Sequence, residues 1–245
     1  MMRYRALACD YDGTLAHDGV VSSATAAALD RFRASGRTLI MVTGRELPEL
    51  KTVCPYLDRF EYIVAENGAL LHCPNEERTR LLCEPASEEL VRVLRAANMR
   101  PLSVGQAIIA TVEPNEVVVI EEIKRLGLEL QVIFNKGSVM VLPSGVNKAT
   151  GLALVLGEMK LAPRDVVAVG DAENDHAFLE VCGVGVAVSN ALPMLKERAD
   201  LVTQRARGDG VSELIDRILT NDLADVTPRP RRPQPITARR EPTRP

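Results

Sequence analysis

Tryptophan is absent from this 245-residue chain, which holds only four Tyr and four Phe, so any core it builds is aliphatic. The five Cys are odd in number and never spaced as a CxxC pair, which argues against both a disulfide framework and a zinc site. Cys9 reads as a small buried hydrophobe. His17, His72 and His176 lack a ligand-like spacing and read as structural or exposed side chains. No apolar run approaches the ~18 residues of a membrane span. Met1 to Asp10 has no extended apolar stretch like that of a signal peptide. These absences predict a reduced, cytoplasmic protein with no membrane partner.

What is present is ordinary for a globular chain: 46% hydrophobic and 26% charged residues. The length allows one large domain, or one that carries a smaller insertion. The net charge of −3 gives the body no basis for binding nucleic acid. From Val226 to Pro245 the composition shifts to six Arg, one Glu and six Pro with no hydrophobic period. That segment carries about +5 and leaves about −8 for the rest. It reads as a disordered tail or Pro-stiffened linker that would join this unit to a partner domain, in preference to a nucleic-acid-binding arm.

Along the body, short apolar runs stop at turn residues. Leu7 to Cys9, Thr38 to Val42 and Tyr62 to Ala65 read as buried parallel strands, with helices from Ser22 or Ser23 to Ser35 and from about Pro48 between them. The rhythm then changes. Helix, strand pair, helix and strand pair follow from Ser87 to Leu142, with Gly137 placed for a hairpin turn. Strand–helix alternation resumes with a helix from Lys148 to Lys160, the strand Val166 to Val169, a helix near Asp175 to Val181 and the strand Val184 to Val188. Helices near Leu192 to Arg198 and Val211 to Thr220 close the body. The predicted fold is α/β: a doubly wound, Rossmann-like parallel-sheet core over residues 1–83 and 144–224, an inserted α+β cap (αββαββ) over 84–143, and a tail over 225–245.

Four polar clusters stand where strands end or a helix begins, which is where ligands bind in open α/β sheets. They are Asp10-Tyr11-Asp12-Gly13-Thr14, then Thr43, then Lys148, then Gly170-Asp171 with Asn174-Asp175. Phosphoryl transfer needs these parts. A carboxylate such as Asp10 can act as a nucleophile and split the displacement into two easier steps. A second carboxyl group, Asp12, reaches the far side of a phosphate as general acid and base. Asp171 and Asp175 offer hard oxygen ligands suited to magnesium. Lys148 supplies a fixed positive charge near Asp10, and Thr43 a hydrogen bond to a phosphoryl oxygen.

Asp10-Tyr11-Asp12-Gly13-Thr14-Leu15 matches the DxDGT signature of the haloacid dehalogenase (HAD) superfamily, and Gly170 to Asp175 matches its GDxxND signature. The chain resembles that superfamily over about residues 4–220, with Thr43 and Lys148 in the same order between the signatures. Val42-Thr43-Gly44-Arg45, Asn67-Gly68-Ala69 and the insertion resemble the Cof-type, IIB branch. Tyr11 occupies a variable position, and the insertion is shorter than in many Cof-type proteins. The resemblance implies Mg2+ held by Asp10, the backbone carbonyl of Asp12, Asp171 and Asp175, the last directly or through water. It assigns Asp10 and Asp12 to catalysis, and Thr43, Lys148 and Asn174 to the phosphate. The implied function is hydrolysis of a small phosphorylated metabolite, a sugar phosphate or a phosphoglycolate-like acid, through an aspartyl-phosphate intermediate.

Other readings compete at single positions. Asp10 and Asp12 alone could be an Asp-Gly turn, Asp171 and Asp175 a helix cap, and Lys148 a solvated surface group. Thr43 alone could be a turn or cap residue. Arg45 suits substrate binding or a surface role equally. Asn67 reads first as a turn residue with positive φ and second as a substrate contact. Gln106, Asn135 and Lys136 are candidates for the substrate side of the cap. For the whole chain the alternatives are a phosphotransferase or phosphomutase on the same core, and a non-catalytic phosphometabolite-binding domain regulating a partner through the tail.

Overall fold

The computed structural model describes residues 2–230; residues 231–245, most of the expected tail, lie outside the described residues. The chain opens with β1 (Ala6–Cys9), α1 (Ser23–Ala34), β2 (Thr38–Val42), α2 (Leu47–Val53) and β3 (Tyr62–Ala65). Ser22 starts α1 by accepting the Thr25 N–H on its side chain, and Pro48 stands in the first turn of α2. A hairpin of β4 (Leu70–Cys73) and β5 (Arg78–Leu81) follows. Next come α3 (Glu88–Ala96), β6 (Ser103–Val104), β7 (Ile109–Val112), α4 (Glu116–Leu126), β8 (Leu130–Asn135) and β9 (Ser138–Pro143). The chain then runs through α5 (Lys148–Glu158), β10 (Val166–Gly170), α6 (His176–Val181), β11 (Val184–Ala187), α7 (Pro193–Arg198), β12 (Leu201–Val202) and α8 (Arg207–Asn221).

These elements make two sheets. The larger has the order β12-β11-β10-β1-β2-β3-β4-β5, parallel from β12 to β3 and antiparallel beyond. The central strands β1 and β10 are buried at every residue, as strands covered on both faces must be, so they carry apolar runs and no alternation. From β1 the chain winds one way to β2 and β3, and later the other way to β10, β11 and β12. The reversal between β1 and β10 opens a crevice at the carboxyl ends of the two strands. The α/β class is the one the sequence predicts.

The β4–β5 hairpin and the two-residue β12 have no counterpart in the sequence reading. β5 is Arg-Thr-Arg-Leu and mostly exposed, so it lacks the apolar run that marks a strand. Its charged edge also leaves little for another chain to pair with. Residues 225–230 differ too from the expectation of an unpacked tail. Val226 is buried, and the Arg229 N–H donates to Asp200 at 2.8 Å.

The second sheet, β6-β7-β9-β8, is antiparallel. Leu90 and Leu94 of α3 and Val119 and Ile123 of α4 pack with Ile109 and Val141 into a core of their own. Met140, Leu142 and Ile108 instead cluster with Ala69 of the larger sheet's loops. The small sheet thus sits as a cap over the crevice. One carboxylate ties the two layers together: Glu66, buried after β3, accepts the backbone N–H groups of Gln106, Ala107 and Ile108 at 3.0, 2.8 and 3.0 Å. A buried carboxylate with several N–H partners is held in one place. No helix among the described residues is long and apolar enough to cross a membrane.

The crevice floor depends on a close approach between α5 and the turn after β3. A Cβ on Gly151 would lie 2.6 Å from Val64 Cγ1 and 2.7 Å from the Gly68 backbone. Gly157, also in α5, is exposed and faces open space. Gly151→Ala is expected to destabilise the protein by about 1–3 kcal/mol through overpacking. Gly157→Ala should instead stabilise it by about 0.5–1 kcal/mol through helix propensity. Thermal unfolding of the two variants checks the opposite signs. Replacing the capping carboxylate, Glu66→Ala, should speed amide exchange at 106–108 by roughly tenfold or more while the α3 and α4 amides keep their protection. Uniform loss of protection across the cap would show that Glu66 does not act locally.

Candidate active site

Asp10 is the residue after β1 and Asp171 the residue after β10, and the two strands are neighbours in register, with Cys9 beside Val169. Thr43 follows β2 and Asn67 follows β3. The loops are laced across the strand ends: the Asp10 N–H donates to the Val169 carbonyl, the Thr43 N–H to Val64, and the Asn67 N–H to Thr43. The sequence-predicted residues of four separate segments therefore meet in one place because parallel strands all end on the same edge of the sheet.

At the centre is a buried ion cluster. Lys148, first residue of α5, donates from Nζ to Asp10 Oδ1 and to Asp175 Oδ1, each at 2.6 Å. Asn147 caps that helix and fixes where Lys148 begins. Asp175 is locked from the other side by the N–H groups of Asp171 and Ala172, at 2.7 and 2.9 Å on Oδ2. Burial, then the Asp175 carboxylate, push the Asp10 pKa up to about 8, against the pull of Lys148. Burial also raises Asp171, opposed by its bond with Lys136. Burial works against the Lys148 ammonium, but Asp10 and Asp175 more than offset it and hold it above the ordinary lysine value. One buried ammonium thus faces three buried carboxylates.

That excess of anion is the observation that fits a divalent cation. Oxygens of Asp10, Asp171 and Asp175 all lie within 4.8 Å of one another, and hard oxygen donors of this kind suit Mg2+. Asp12 contributes no carboxylate to this group. Its two oxygens are gripped by Arg45, at 2.6 Å from Nε and 2.7 Å from Nη2, and the guanidinium rests on the Tyr11 ring, 5.6 Å from its centroid. Arg45 also bonds Glu49 at 2.5 Å. The Arg45 side chain is thus a partner of the Asp12 carboxylate.

The loop from Asp10 to Val20 is a compact turn held by the Tyr11 carbonyl, which accepts from Leu15 and Ala16, and by Tyr11 Oη, which donates to Gly19 at 2.8 Å. Gly13 has φ +81, and a Cβ there would collide with the Asp171 carboxylate. Only glycine lets the first loop lie so near the last one. Thr43 is buried, with its Oγ1 accepting the Arg45 N–H at 3.1 Å. Asn67 (φ +54) is buried, and its Oδ1 accepts from Asn174 Nδ2 at 3.0 Å. The Asn67 Nδ2 and Asn174 Oδ1 atoms have no hydrogen-bond partner among the described residues, so both amides keep a group for a ligand.

Sequence reasoning missed three contributors. Asn190 donates to the Gly13 carbonyl at 2.8 Å, Thr14 donates to Asp171 at 3.3 Å, and Glu66 anchors the cap. Asn190 has no distinctive neighbours in the chain, Glu66 adjoins the Asn67-Gly68 turn but its partners lie forty residues on, and Thr14 stands within the Asp10 cluster. Lys136, one of three cap candidates, reaches the Asp171 carboxylate with its ammonium, while Gln106 engages Glu66 through its backbone.

The profile of the haloacid dehalogenase-like hydrolases matches residues 7–122 and 105–215 of this chain. The chain is 31% identical over 226 residues to phosphoglycolate phosphatase 2 of Saccharolobus solfataricus, covering 89% of this chain and 93% of that one. It is 32% identical over 224 residues to the phosphoglycolate phosphatase of Methanothermobacter thermautotrophicus, covering 88% and 99%. A haloacid dehalogenase-like hydrolase from Bacteroides thetaiotaomicron superposes with a TM-score of 0.76 at 22% identity, over 88% of this chain and 99% of that one. A HAD subclass IIB sugar phosphatase does so with a TM-score of 0.69 at 18% identity, over 87% and 98%. The profile match over most of the chain, with the relative at 31% identity, places this chain in the haloacid dehalogenase-like hydrolase family, in its Cof-type branch.

Proposed function

We propose that this phosphatase hydrolyses a small phosphomonoester through a phosphorylated Asp10, with magnesium as its cofactor. The observation that carries the reading is the buried ammonium of Lys148 held between Asp10 and Asp175 at the carboxyl end of β1. A pair of relatives named phosphoglycolate phosphatases at 31% and 32% identity supports a small phosphorylated acid as substrate.

Lys148 orients Asp10 through Oδ1, so Oδ2 would be the attacking oxygen. A bond forms from Oδ2 to phosphorus as the bond from phosphorus to the leaving oxygen breaks. Asp12, protonated at this stage, gives its proton to that oxygen and an alcohol departs. Asp12 then takes a proton from water, and the hydroxide attacks the phosphorus. The bond to Asp10 breaks, which restores the Asp10 carboxylate and releases inorganic phosphate. Arg45 grips both Asp12 oxygens, and its contact with Glu49 gives it a second anion to hold while Asp12 carries the proton. Thr43, Lys148 and Asn174 would hold the phosphate. Mg2+, held by Asp10, Asp171, Asp175 and the Asp12 carbonyl, would supply positive charge beside the phosphoryl oxygens.

Phosphate release from a phosphomonoester panel, with magnesium or EDTA, tests the reading on the wild type and Asp10→Asn. Release that needs magnesium and falls at least about a thousandfold in Asp10→Asn is expected. Transfer of phosphate to added hydroxyl acceptors without free phosphate would select a phosphotransferase. Silence across the panel with retained ligand binding would select a binding domain. Asp12→Asn separates acid from nucleophile: the rate of phosphoenzyme formation should fall by about 10²–10⁴-fold for alkyl phosphates, but much less for p-nitrophenyl phosphate, whose leaving group needs no proton. Equal losses on both in rapid-quench measurements would remove Asp12 from the acid role.

A further inference from the structure

Lys136 stands at the tip of the β8–β9 hairpin, next to Gly137. Both have positive φ, +48 and +83, the conformation of a tight two-residue turn. Glycine suits this backbone, but Asn or Asp is the side chain that tolerates it best, and a lysine there is uncommon. The side chain accounts for its presence. The Lys136 N–H donates to Glu173 Oε2 at 3.3 Å, and the ammonium bonds Asp171. The tip of the cap is thereby docked on the loop after β10, and a cation from the cap enters the core's carboxylate cluster.

Lys136 differs from Lys148 in its freedom. Lys148 is enclosed and bonded to two carboxylates, whereas the Lys136 side chain keeps 43% of its exposure at the mouth of the crevice. Its partner Asp171 is wanted by a doubly charged cation, which an ammonium on a flexible stem cannot match. Were a divalent cation to take its place on Asp171, the ammonium would stay tethered at the hairpin tip and be free to meet another anion. The phosphoryl group has its own partners in Lys148 and Thr43. The space under the cap is also short. Met140 Sδ lies 3.5 Å from where a Cβ on Gly44 would be, so the sulfur of the cap sheet stands directly over the end of β2.

We infer that Lys136 is a specificity-determining residue that binds a second anionic group, a carboxylate, on a small phosphorylated hydroxy acid held under the cap. The inference rests on the phosphatase reading above and adds to it the cap residue that recognises the rest of the substrate. A carboxylate one or two carbons from the phosphate lies within the sweep of the lysine stem, and a neutral ester of the same size leaves the ammonium unpaired.

The test compares 2-phosphoglycolate with ethyl phosphate, which has the same number of carbons and no carboxylate, on the wild type, Lys136→Met and Lys136→Arg. Lys136→Met is expected to lower kcat/KM for 2-phosphoglycolate at least about tenfold, chiefly through KM, and to bring the ratio between the two esters towards one. Lys136→Arg keeps the cation and should keep most of the preference. Equal losses on both esters, or an unchanged ratio, overturn the inference, because Lys136 would then act on the carboxylate cluster alone. A binding arm runs in parallel: calorimetric titration of both esters, with magnesium, into Asp10→Asn with and without Lys136→Met. If the wild type turns over neither ester and the phosphomonoester panel is also silent, the phosphatase reading fails, and this arm still decides the role of Lys136. A preference for 2-phosphoglycolate that disappears with the lysine supports it, and no preference overturns it.

Discussion

The ammonium of Lys148 is the contact on which the crevice depends. It is buried where β1, the start of α5 and the turn after β10 meet, and it answers carboxylates from two of those segments at once. An isolated charge there would be strongly disfavoured, and so would either carboxylate without it. The three elements must therefore keep their spacing for any of the charges to be tolerated. Asn147 sets the helix start, the Asp171 and Ala172 N–H groups fix Asp175, and Gly151 lets α5 approach the turn after β3. Burial, then the neighbouring Asp175 carboxylate, raises Asp10, and the three clustered carboxylates make the site receptive to a divalent cation. Packing and chemistry have a common origin here.

Two of the charged contacts by which the cap meets this core are opposite in sign. Glu66 extends a buried core carboxylate to three backbone N–H groups of the cap, and Lys136 brings a cap ammonium down to a core carboxylate. The first is enclosed and has multiple partners, so it fixes one side of the cap. The second is half-exposed and on a flexible stem, so it can exchange partners as ligands arrive. A cap held firmly at one point and exchangeably at another can shift over the crevice without detaching, which suits chemistry that excludes water in one half-reaction and admits it in the next.

Asp12 illustrates how the same loop can carry two carboxyl groups with different duties. Asp10 is buried among other carboxylates and bonded to the buried Lys148 ammonium. Asp12, two residues later, is part-exposed and held by Arg45, which has Glu49 as an alternative partner. In the proposed mechanism, environment and not residue type would separate nucleophile from proton carrier.

Much of this was legible in the chain because it is encoded locally. The apolar runs ending in Asp10, Thr43 and Asp171, the cap at Ser22, and the glycine of the β8–β9 turn are all sequence-adjacent signals, and the α/β class follows from them. The two signatures likewise named the residues of the carboxylate cluster before any contact between them was visible. The exposed β5 strand was illegible because its Arg-Thr-Arg-Leu carries no apolar pattern and is a strand only by pairing with β4. Glu66 and Asn190 were illegible for a related reason: a carboxylate that binds backbone N–H groups forty residues away, or an amide that binds a carbonyl 177 residues earlier, has no partner in its own neighbourhood to announce it. Sequence by itself determined which residues could do chemistry and which strands would carry them, since propensity and burial act over a few residues. Tertiary structure alone decided that Arg45 holds Asp12, that Glu66 holds the cap and that Lys136 enters the crevice, because long-range electrostatic partners are chosen only when distant segments are brought together.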